Sequence, residues 1–438
     1  MAGALAGLRV LDCTHVIAGS YCSLVLADLG ADVIKIEPPA GESTRGMLGA
    51  TNTFRAFDYV NRNKRAIALD LSTEAGADVV RRLAETADVF VENYRPGAMG
   101  RMGLDYARLS AINPRLVYCS VSGFGLDGPY ADRGGFDLVT QAMSGIMSFV
   151  GETGSEVPCS TAVPISDLNA GVFAAVGVLA ALQSRQASGK GQHVETSLFE
   201  SALAYTIWET GMYLSTGEVA KRNGARHRLA APYEPLKTAD GHVVVGVNSQ
   251  RLWKRFCEAL GEPGLLDEPA FNAPGLRMRN RDALRARLEG VLARDTTANW
   301  LAKFEAVGVP AGPLNNIAQA WDDPQVKARG LLGEAGGRRF IRTPIKLHDT
   351  PVALVRGPGE VGQHTREVLA EAIRTRFEEY VPSDEAPEEP ASLYLHKIVQ
   401  TTVPIPALSR FDTEAYLVLL QILGRLDQEQ RTACIEEC

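Results

Sequence analysis

The stretch Val163-Pro164-Ile165-Ser166-Asp167-Leu168-Asn169-Ala170-Gly171 puts one carboxylate where it could do chemistry. A proline precedes a Ser-Asp pair, and from Val172 to Leu182 the chain is almost wholly apolar and small. That pattern predicts a loop that delivers Asp167 to the start of a buried helix. Helix starts carry unpaired N–H groups and a partial positive charge, so a carboxylate there is expected to be held as the anion. An anionic aspartate can attack an acyl carbonyl as a nucleophile. The ordinary role of Asp or Ser at such a place is to cap the helix. A chemical role therefore needs support from the rest of the chain.

The chain has 438 residues, more than one core usually serves, so two folded units and a tail are expected. The net charge of −7 gives no general attraction to nucleic acid or to anionic membranes. No apolar run reads as long and pure enough to span a bilayer. Met1 to Arg9 lacks the charged-then-apolar pattern of a secretory signal. The seven cysteines (Cys13, Cys22, Cys119, Cys159, Cys257, Cys434, Cys438) are scattered and form no CxxC, which fits reduced thiols in a cytoplasmic protein. The seven histidines show no metal-type spacing such as HExxH, so no metal is expected.

The elements that must position Asp167 read as follows. Leu8 to Asp12 is a short apolar run, Ala18 to Leu29 has helical periodicity, and Ala31 to Ile36 is apolar and β-branched. This is a strand–helix–strand unit. Ala66 to Leu71, Val89 to Glu92 and Leu116 to Val121 read as further buried strands, with a helix over Glu74 to Thr86. Strands alternating with helices predict an α/β fold with a parallel sheet. After the Asp167 helix and the turn Ser188-Gly189-Lys190-Gly191-Gln192, a helical pattern covers Val194 to Leu203 and Tyr205 to Tyr213. Gly241 to Val247 reads as a strand, Leu252 to Leu260 and Arg281 to Arg294 as amphipathic helices, and Val309 to Pro313 as a turn-rich break. Ile341 to Leu347 and Thr365 to Ile373 return to the first unit. The expected division is 1–220, then a smaller unit at 221–330, then 331–377 rejoining the first. Glu378 to Pro390 reads as an acidic linker, followed by an amphipathic helix over Asp412 to Ile435, for a tail of 378–438.

A parallel sheet places ligands at the carboxyl ends of its strands. The first such end is Thr14-His15-Val16-Ile17-Ala18-Gly19-Ser20, and Glu37 closes the second strand. The glutamate suits an NAD ribose, but the single glycine is not the GxGxxG that a pyrophosphate needs. Arg45, Arg62, Lys64, Arg95 and Arg101 fall at predicted turns and strand ends, either as phosphate receivers or as a solvated basic face.

Several motifs in order resemble a known family. They are Leu29-Gly30-Ala31-Asp32-Val33-Ile34-Lys35-Ile36-Glu37, Asn61-Arg62-Asn63-Lys64-Arg65, Val91-Glu92-Asn93-Tyr94-Arg95-Pro96-Gly97-Ala98-Met99, Arg101-Met102-Gly103, Ser122-Gly123-Phe124-Gly125 and Gly128-Pro129-Tyr130. Gly189-Lys190-Gly191-Gln192, Gly308-Val309-Pro310-Ala311-Gly312-Pro313 and Gly362-Gln363-His364-Thr365 follow. Over roughly residues 5–372 the chain resembles the class III CoA-transferases, the formyl-CoA and carnitine CoA-transferase type.

The resemblance implies a Rossmann-like large domain, an inserted smaller α+β domain and an interlocked homodimer. It implies no tightly bound cofactor; coenzyme A enters as the acyl-CoA substrate. The nucleophile is the Asp matching Asp167, working through a mixed anhydride and an aspartyl-CoA thioester. Val16 and Ile17 match positions whose backbone lies by the adenine; Leu71, Asn93, Tyr94 and Arg101 match positions along the nucleotide and pantetheine. The family's Arg after the second-strand acid is Pro38 here, so Arg45 is the candidate substitute. Asp137 matches an acid near the nucleophile. The family's glycine-rich loop corresponds to Val247-Asn248-Ser249-Gln250, which lacks the run of glycines.

Three functions remain to be weighed. Racemases of the same fold use a His/Asp pair in a Gly-His-Asp motif, but this chain has Gly134-Gly135-Phe136-Asp137, and Phe136 moves no proton. A non-catalytic CoA binder is the second alternative. The pattern including Ala231-Pro232-Tyr233 and Leu236-Lys237 is most similar to enzymes using succinyl-CoA and small dicarboxylates. Such an acid needs a cation for its distal carboxylate, and Arg226, His227 and Arg228 are the candidates.

Overall fold

The computed structural model describes residues 3–47 and 55–380. Two compact units emerge. Of the described residues, the first holds those up to Thr140, Pro164–Tyr205 and those from Leu331 to Tyr380; the second holds Gln141–Val163 and Thr206–Gly330.

The first unit is built on a six-stranded sheet of β1 (Arg9–Cys13), β2 (Asp32–Glu37), β3 (Arg65–Ala68), β4 (Val89–Glu92), β5 (Val117–Ser122) and β6 (His193–Ser197). The order is β3-β2-β1-β4-β5-β6 and every pair is parallel. The chain begins in the middle, builds outward one way, then reverses between β1 and β4. That reversal opens a crevice beyond the carboxyl ends of the two strands, the usual ligand position in such sheets. Strands β4 and β5 are buried on both faces, which explains their continuous apolar character. Helices α1 (Ala18–Asp28) and α2 (Glu74–Ala84) connect β1 to β2 and β3 to β4.

Helix α3 (Asp137–Met143) follows β5, and the long α4 (Ile165–Ser188) starts two residues before Asp167. Ala170, Ala174, Ala175 and Val178 of α4 pack into the same core as Ala18, Cys22 and Leu26 of α1. Small residues let the two backbones approach. By length and composition α4 is apolar enough to cross a bilayer, contrary to the sequence expectation, yet half of its most apolar stretch is buried inside the protein.

Strand β6 corrects a helical reading. Val194, Leu198 and Ala202 recur every fourth residue and mimic a helix face. In the structure His193–Ser197 pairs with Tyr118–Ser122, and the helix, α5 (Leu198–Ala204), starts only after Ser197 caps it by accepting the Glu200 N–H. The open edge of β5 offers ladder hydrogen bonds that a helix would forgo.

The second unit carries a three-stranded antiparallel sheet of β7 (Tyr233–Lys237), β8 (His242–Gly246) and β9 (Ala311–Pro313), ordered β7-β8-β9. Only β8 was expected. The two flanking strands contain Pro235 and Pro313, which read as breaks but are tolerated at sheet edges. Helices α6 (Gln250–Leu260), α7 (Arg281–Leu292) and α8 (Thr297–Ala306) cover the sheet with Trp253, Phe256, Leu288 and Phe304. The unit starts earlier than residue 221 because Arg222 donates to the carbonyls of Val150, Ser155 and Met147, and the Gly224 N–H to Gly151. Those bonds tie 141–163 to it.

Helix α9 (Thr365–Tyr380) runs into the stretch read as a linker. The remainder of that stretch and the helix expected over Asp412 to Ile435 lie outside the described residues.

Candidate active site

Asp167 lies in the first turn of α4. Gly171, one turn further along the same face, meets α1 so closely that an added Cβ would lie 2.6 Å from the Ala18 carbonyl oxygen. Residues four apart share a helix face, so Asp167 lies on the face of α4 that packs on α1. Asp137 arrives from another direction. Gly135 packs on Gly123 after β5, where a Cβ on Gly135 would come within 2.4 Å of the Gly123 Cα. Pinned there, the chain presents the Asp137 carboxylate to α4, where Oδ1 accepts the Ser166 N–H at 2.8 Å.

The helix start thus stabilises Asp137, not Asp167. Among the described residues the Asp167 carboxylate accepts no hydrogen bond. Burial, helped by the neighbouring Asp137 charge, pushes its pKa up to about 7. This corrects the expectation of a strongly stabilised anion: the orphan N–H is occupied, and desolvation outweighs the helix dipole. A carboxylate with that pKa is still substantially ionised near neutrality, and its weak solvation makes it more nucleophilic than an ordinary aspartate. Phe136, beside Asp137, is 69% exposed and supplies no proton-transfer group.

The first βα turn is built from side chains rather than glycines. Asp12, Lys35 and Lys64 are completely buried around it. Asp12 Oδ1 accepts the Thr14 N–H at 2.9 Å, and Oδ2 takes Lys64 Nζ at 2.9 Å and Ser23 Oγ at 2.6 Å. The two ammonium groups and these hydrogen bonds hold the Asp12 carboxyl far below its ordinary pKa against the cost of burial. Burial lowers Lys64 to about 8. A pyrophosphate seated against the start of α1, in the manner of a GxGxxG turn, would need the space that Thr14, Ser20 and these side chains fill. A Cβ on Gly19 would lie 2.6 Å from Thr14 Cγ2.

Several of the expected site residues converge here. The Asn93 amide brackets His15, accepting its N–H at 2.8 Å and donating to its carbonyl at 2.7 Å, so it ties the turn after β1 to the end of β4. Tyr94 packs edge-on to the His15 ring at 4.9 Å, and burial raises its phenol to about 12. Val16 and Ile17 lie between His15 and the first turn of α1, and Val16 has φ +60°. Leu71 packs on the same apolar cluster as Tyr94.

The basic residues divide into two groups. Arg45 grips Glu37 with Nε at 2.7 Å, donates to the Gly359 carbonyl and stacks over Phe57 at 3.6 Å. Arg62 pairs with Asp28 at 2.5 Å, and Lys64 with Asp12. These three are fold-building ion pairs rather than a solvated face. Arg95 and Arg101 are exposed. Glu42 is not singled out by the sequence, and Asp12 and Lys35 read there only as parts of a strand and a motif; one acid in a Gly-Glu-Ser-Thr turn and two charges in apolar strands carry no local signal of a buried network.

In the second unit, the Val247-Asn248-Ser249-Gln250 stretch is anchored. Val247 is buried and donates to Pro232, Ser249 caps α6 by accepting the Leu252 N–H, and Gln250 accepts from Arg277. Arg226, His227 and Arg228 line a cavity of about 330 Å³ with Phe149, Trp208 and Glu209. Arg226 pairs with Glu234 at 3.2 Å and Asp282 at 2.6 Å, and Arg228 with Glu209 at 3.1 Å. His227 stacks on Tyr233 and accepts the Leu229 N–H at Nδ1, which leaves Nε2 as the donor when the ring is neutral. No cluster of metal-ligating side chains occurs among the described residues.

Known proteins share this architecture. A model of CoA-transferase family III matches residues 5–365. Succinyl-CoA:glutarate CoA-transferase of Mus musculus is 36% identical over 380 residues, covering 84% of this chain and 86% of its own. Acetyl-CoA:oxalate CoA-transferase of Acetobacter aceti is 39% identical over 355 residues, covering 80% of this chain and 91% of its own. The crystal structure of a CAIB/BAIF family protein from Brucella suis matches with a TM-score of 0.77 at 37% identity, over 85% of this chain and 100% of its own. The matched stretch contains both the Asp137–Asp167 pair and the side-chain-filled first turn, and the chain belongs to CoA-transferase family III, as a CoA-transferase.

Proposed function

We propose that the chain moves CoA from succinyl-CoA to a small dicarboxylic acid through covalent intermediates on Asp167. The observation that carries this reading is the poorly solvated Asp167 carboxyl, its pKa pushed up to about 7, in the first turn of α4. Relatives named for succinyl-CoA and glutarate support the substrate pair.

An Asp167 oxygen attacks the thioester carbonyl, the C–S bond breaks, and CoA leaves as the thiolate with a mixed anhydride on the enzyme. The thiolate then attacks the Asp167 acyl carbon, succinate leaves as a carboxylate, and an aspartyl-CoA thioester remains. The acceptor carboxylate attacks that thioester and expels CoA thiolate, giving a second anhydride. Thiolate attack on the acceptor's acyl carbon returns Asp167 as a carboxylate. Each attack splits one hard transfer into easier acyl steps, and no net proton moves. Asp137 keeps the Ser166 N–H occupied and raises the basicity of Asp167.

The cavity of Arg226, His227 and Arg228 within the second unit, about 330 Å³, has the basic groups and the volume to receive a small carboxylate. A homodimer is part of the same proposal. Val172, Phe173 and Val176 on α4, with Leu203 and Tyr205, form an apolar face left exposed in the single chain, as an intersubunit surface would be.

The test is intact-protein mass after mixing with succinyl-CoA, with hydroxylamine or borohydride trapping and peptide mapping. An adduct at Asp167 is expected. No change at Asp167 with several acyl-CoA donors would return the site to a racemase or a non-catalytic CoA binder.

A further inference from the structure

The turn after β1 contains one strained residue and an unusual number of clamps. Val16 has φ +60°, in the left-handed region that a β-branched side chain enters only at a cost. Such outliers persist where the surroundings over-determine them, and they concentrate at ligand sites.

The clamps come from the ends of four strands. Asp12 accepts the Thr14 N–H at 2.9 Å, and Lys35 donates to the Thr14 carbonyl. Asn93 takes both backbone groups of His15. Lys64 donates to the Ser20 carbonyl at 2.9 Å. The Val16 N–H goes to Glu42 Oε2 at 3.1 Å. Glu42 is itself buried at 6% exposure, with its other oxygen taken by the Thr44 hydroxyl. The Ile17 carbonyl accepts the Tyr21 N–H at 2.7 Å.

One peptide escapes this accounting. The Val16 carbonyl and the Ile17 N–H take no partner among the described residues, although every backbone group from the Thr14 carbonyl to the Val16 N–H is held. This peptide sits at the carboxyl end of β1, at the point where strand order reverses. Its direction follows from the Val16 backbone angles, which Glu42 restrains.

We propose that Glu42 is a positioning residue for coenzyme A: it holds Val16 in the left-handed conformation so that the Val16–Ile17 peptide is presented, pre-oriented and unpaired, to the polar edge of the nucleotide. The proposal rests on the expectation from the family resemblance that CoA lies along Val16, Ile17, Asn93 and Tyr94 at this strand end, and on the CoA-transferase reading proposed above. It adds a residue that touches no substrate and acts through Val16. Pre-orientation matters because ordering a loop on binding subtracts from affinity.

The test uses the full chain and CoA itself as the titrant in calorimetry. Glu42→Ala weakens CoA binding by ~10-fold or more, while Glu42→Gln, whose amide oxygen still accepts the Val16 N–H, stays within ~3-fold of wild type. In turnover assays Glu42→Ala raises KM for succinyl-CoA with kcat within ~3-fold. Val16→Gly placed in the Glu42→Ala protein regains most of the lost affinity, because glycine enters the left-handed region without penalty. A purely structural role for Glu42 gives no such rescue. Should Glu42→Ala fail to fold, Val16→Pro, which forces φ to about −65°, loses CoA binding on its own.

Unchanged affinity in Glu42→Ala, or a double variant no better than Glu42→Ala, overturns the proposal. Asp167→Ala is expected to bind CoA as wild type does, which separates this inference from the nucleophile assignment. Absence of CoA binding by the wild type would sink the site reading and the proposal together.

Discussion

Asp137 Oδ1 accepts the Ser166 N–H at 2.8 Å, so a carboxylate 29 residues away caps the helix that carries Asp167. The capping and chemical roles, which the sequence puts on one aspartate, are divided between two. Asp137 takes the stabilised position; Asp167 is left desolvated beside a like charge.

The first prediction is a pH profile. Asp167 attacks as the carboxylate and titrates at about 7, so kcat/KM rises with pH through about 7 and falls below it. Asp167→Ala removes turnover almost completely. A profile flat from about pH 5 to about pH 8, with chemistry limiting, would contradict the assignment.

The same shift has a stability consequence. The folded pKa lies above the usual 3.8, so the fold disfavours the ionised group, and that cost grows as pH rises from near 3.8 and levels off above about 7. Asp167→Asn removes it. The variant is expected to gain on the order of 4 kcal/mol near about pH 8, nearly vanishing toward about pH 4. Urea unfolding at the two pH values checks this; a gain equal at both would point to packing instead.

Removing the neighbouring charge moves the acid limb. Asp137→Asn keeps an oxygen to accept the Ser166 N–H but deletes the repulsion, so the limb shifts downward by ~0.5–1 pH unit. An upward shift would mean that Asp137 is not charged beside Asp167.

Gly171→Ala tests how Asp167 is placed. The new Cβ would meet the Ala18 carbonyl oxygen at 2.6 Å and the Tyr21 Cβ at 3.0 Å, and backbone cannot swing aside. A loss of ~1–3 kcal/mol is expected, with kcat falling further than CoA affinity. Calorimetric melting and steady-state kinetics read the two effects separately.

Lys64→Met tests the buried network. Lys64 Nζ donates to Asp12, Ser20 and Asn61, and without it a fully buried Asp12 keeps Lys35 at 3.6 Å as its remaining ion-pair partner. Breaking such a pair costs ~3–5 kcal/mol. A loss below ~1 kcal/mol in urea unfolding would show the network to be dispensable.

Much of the fold was legible in the sequence. Strands β1 to β5, α1, the Asp167 helix and α6 follow from patterns spanning about ten residues: buried apolar runs, helical spacing, and glycine or proline at the ends. Strand β6 was not, because its Val194 also begins a four-residue apolar spacing that continues into α5, and only the open edge of β5 decides between the two. Strands β7 and β9 were hidden by prolines that an edge accommodates.

The sequence by itself determined that Asp167 opens a long helix and that its neighbours resemble those of a CoA-transferase. The tertiary structure alone decided its electrostatics. Which carboxylate receives the helix N–H depends on Gly135 meeting Gly123, and how much water Asp167 loses depends on Gly171 meeting Ala18. The basic motif residues changed meaning for the same reason: Arg62 finds Asp28 and Lys64 finds Asp12, 34 and 52 residues away, and become core ion pairs. Periodicity and turn chemistry are local properties of a chain. Desolvation and charge pairing depend on what is packed nearby, which is set only when distant segments meet.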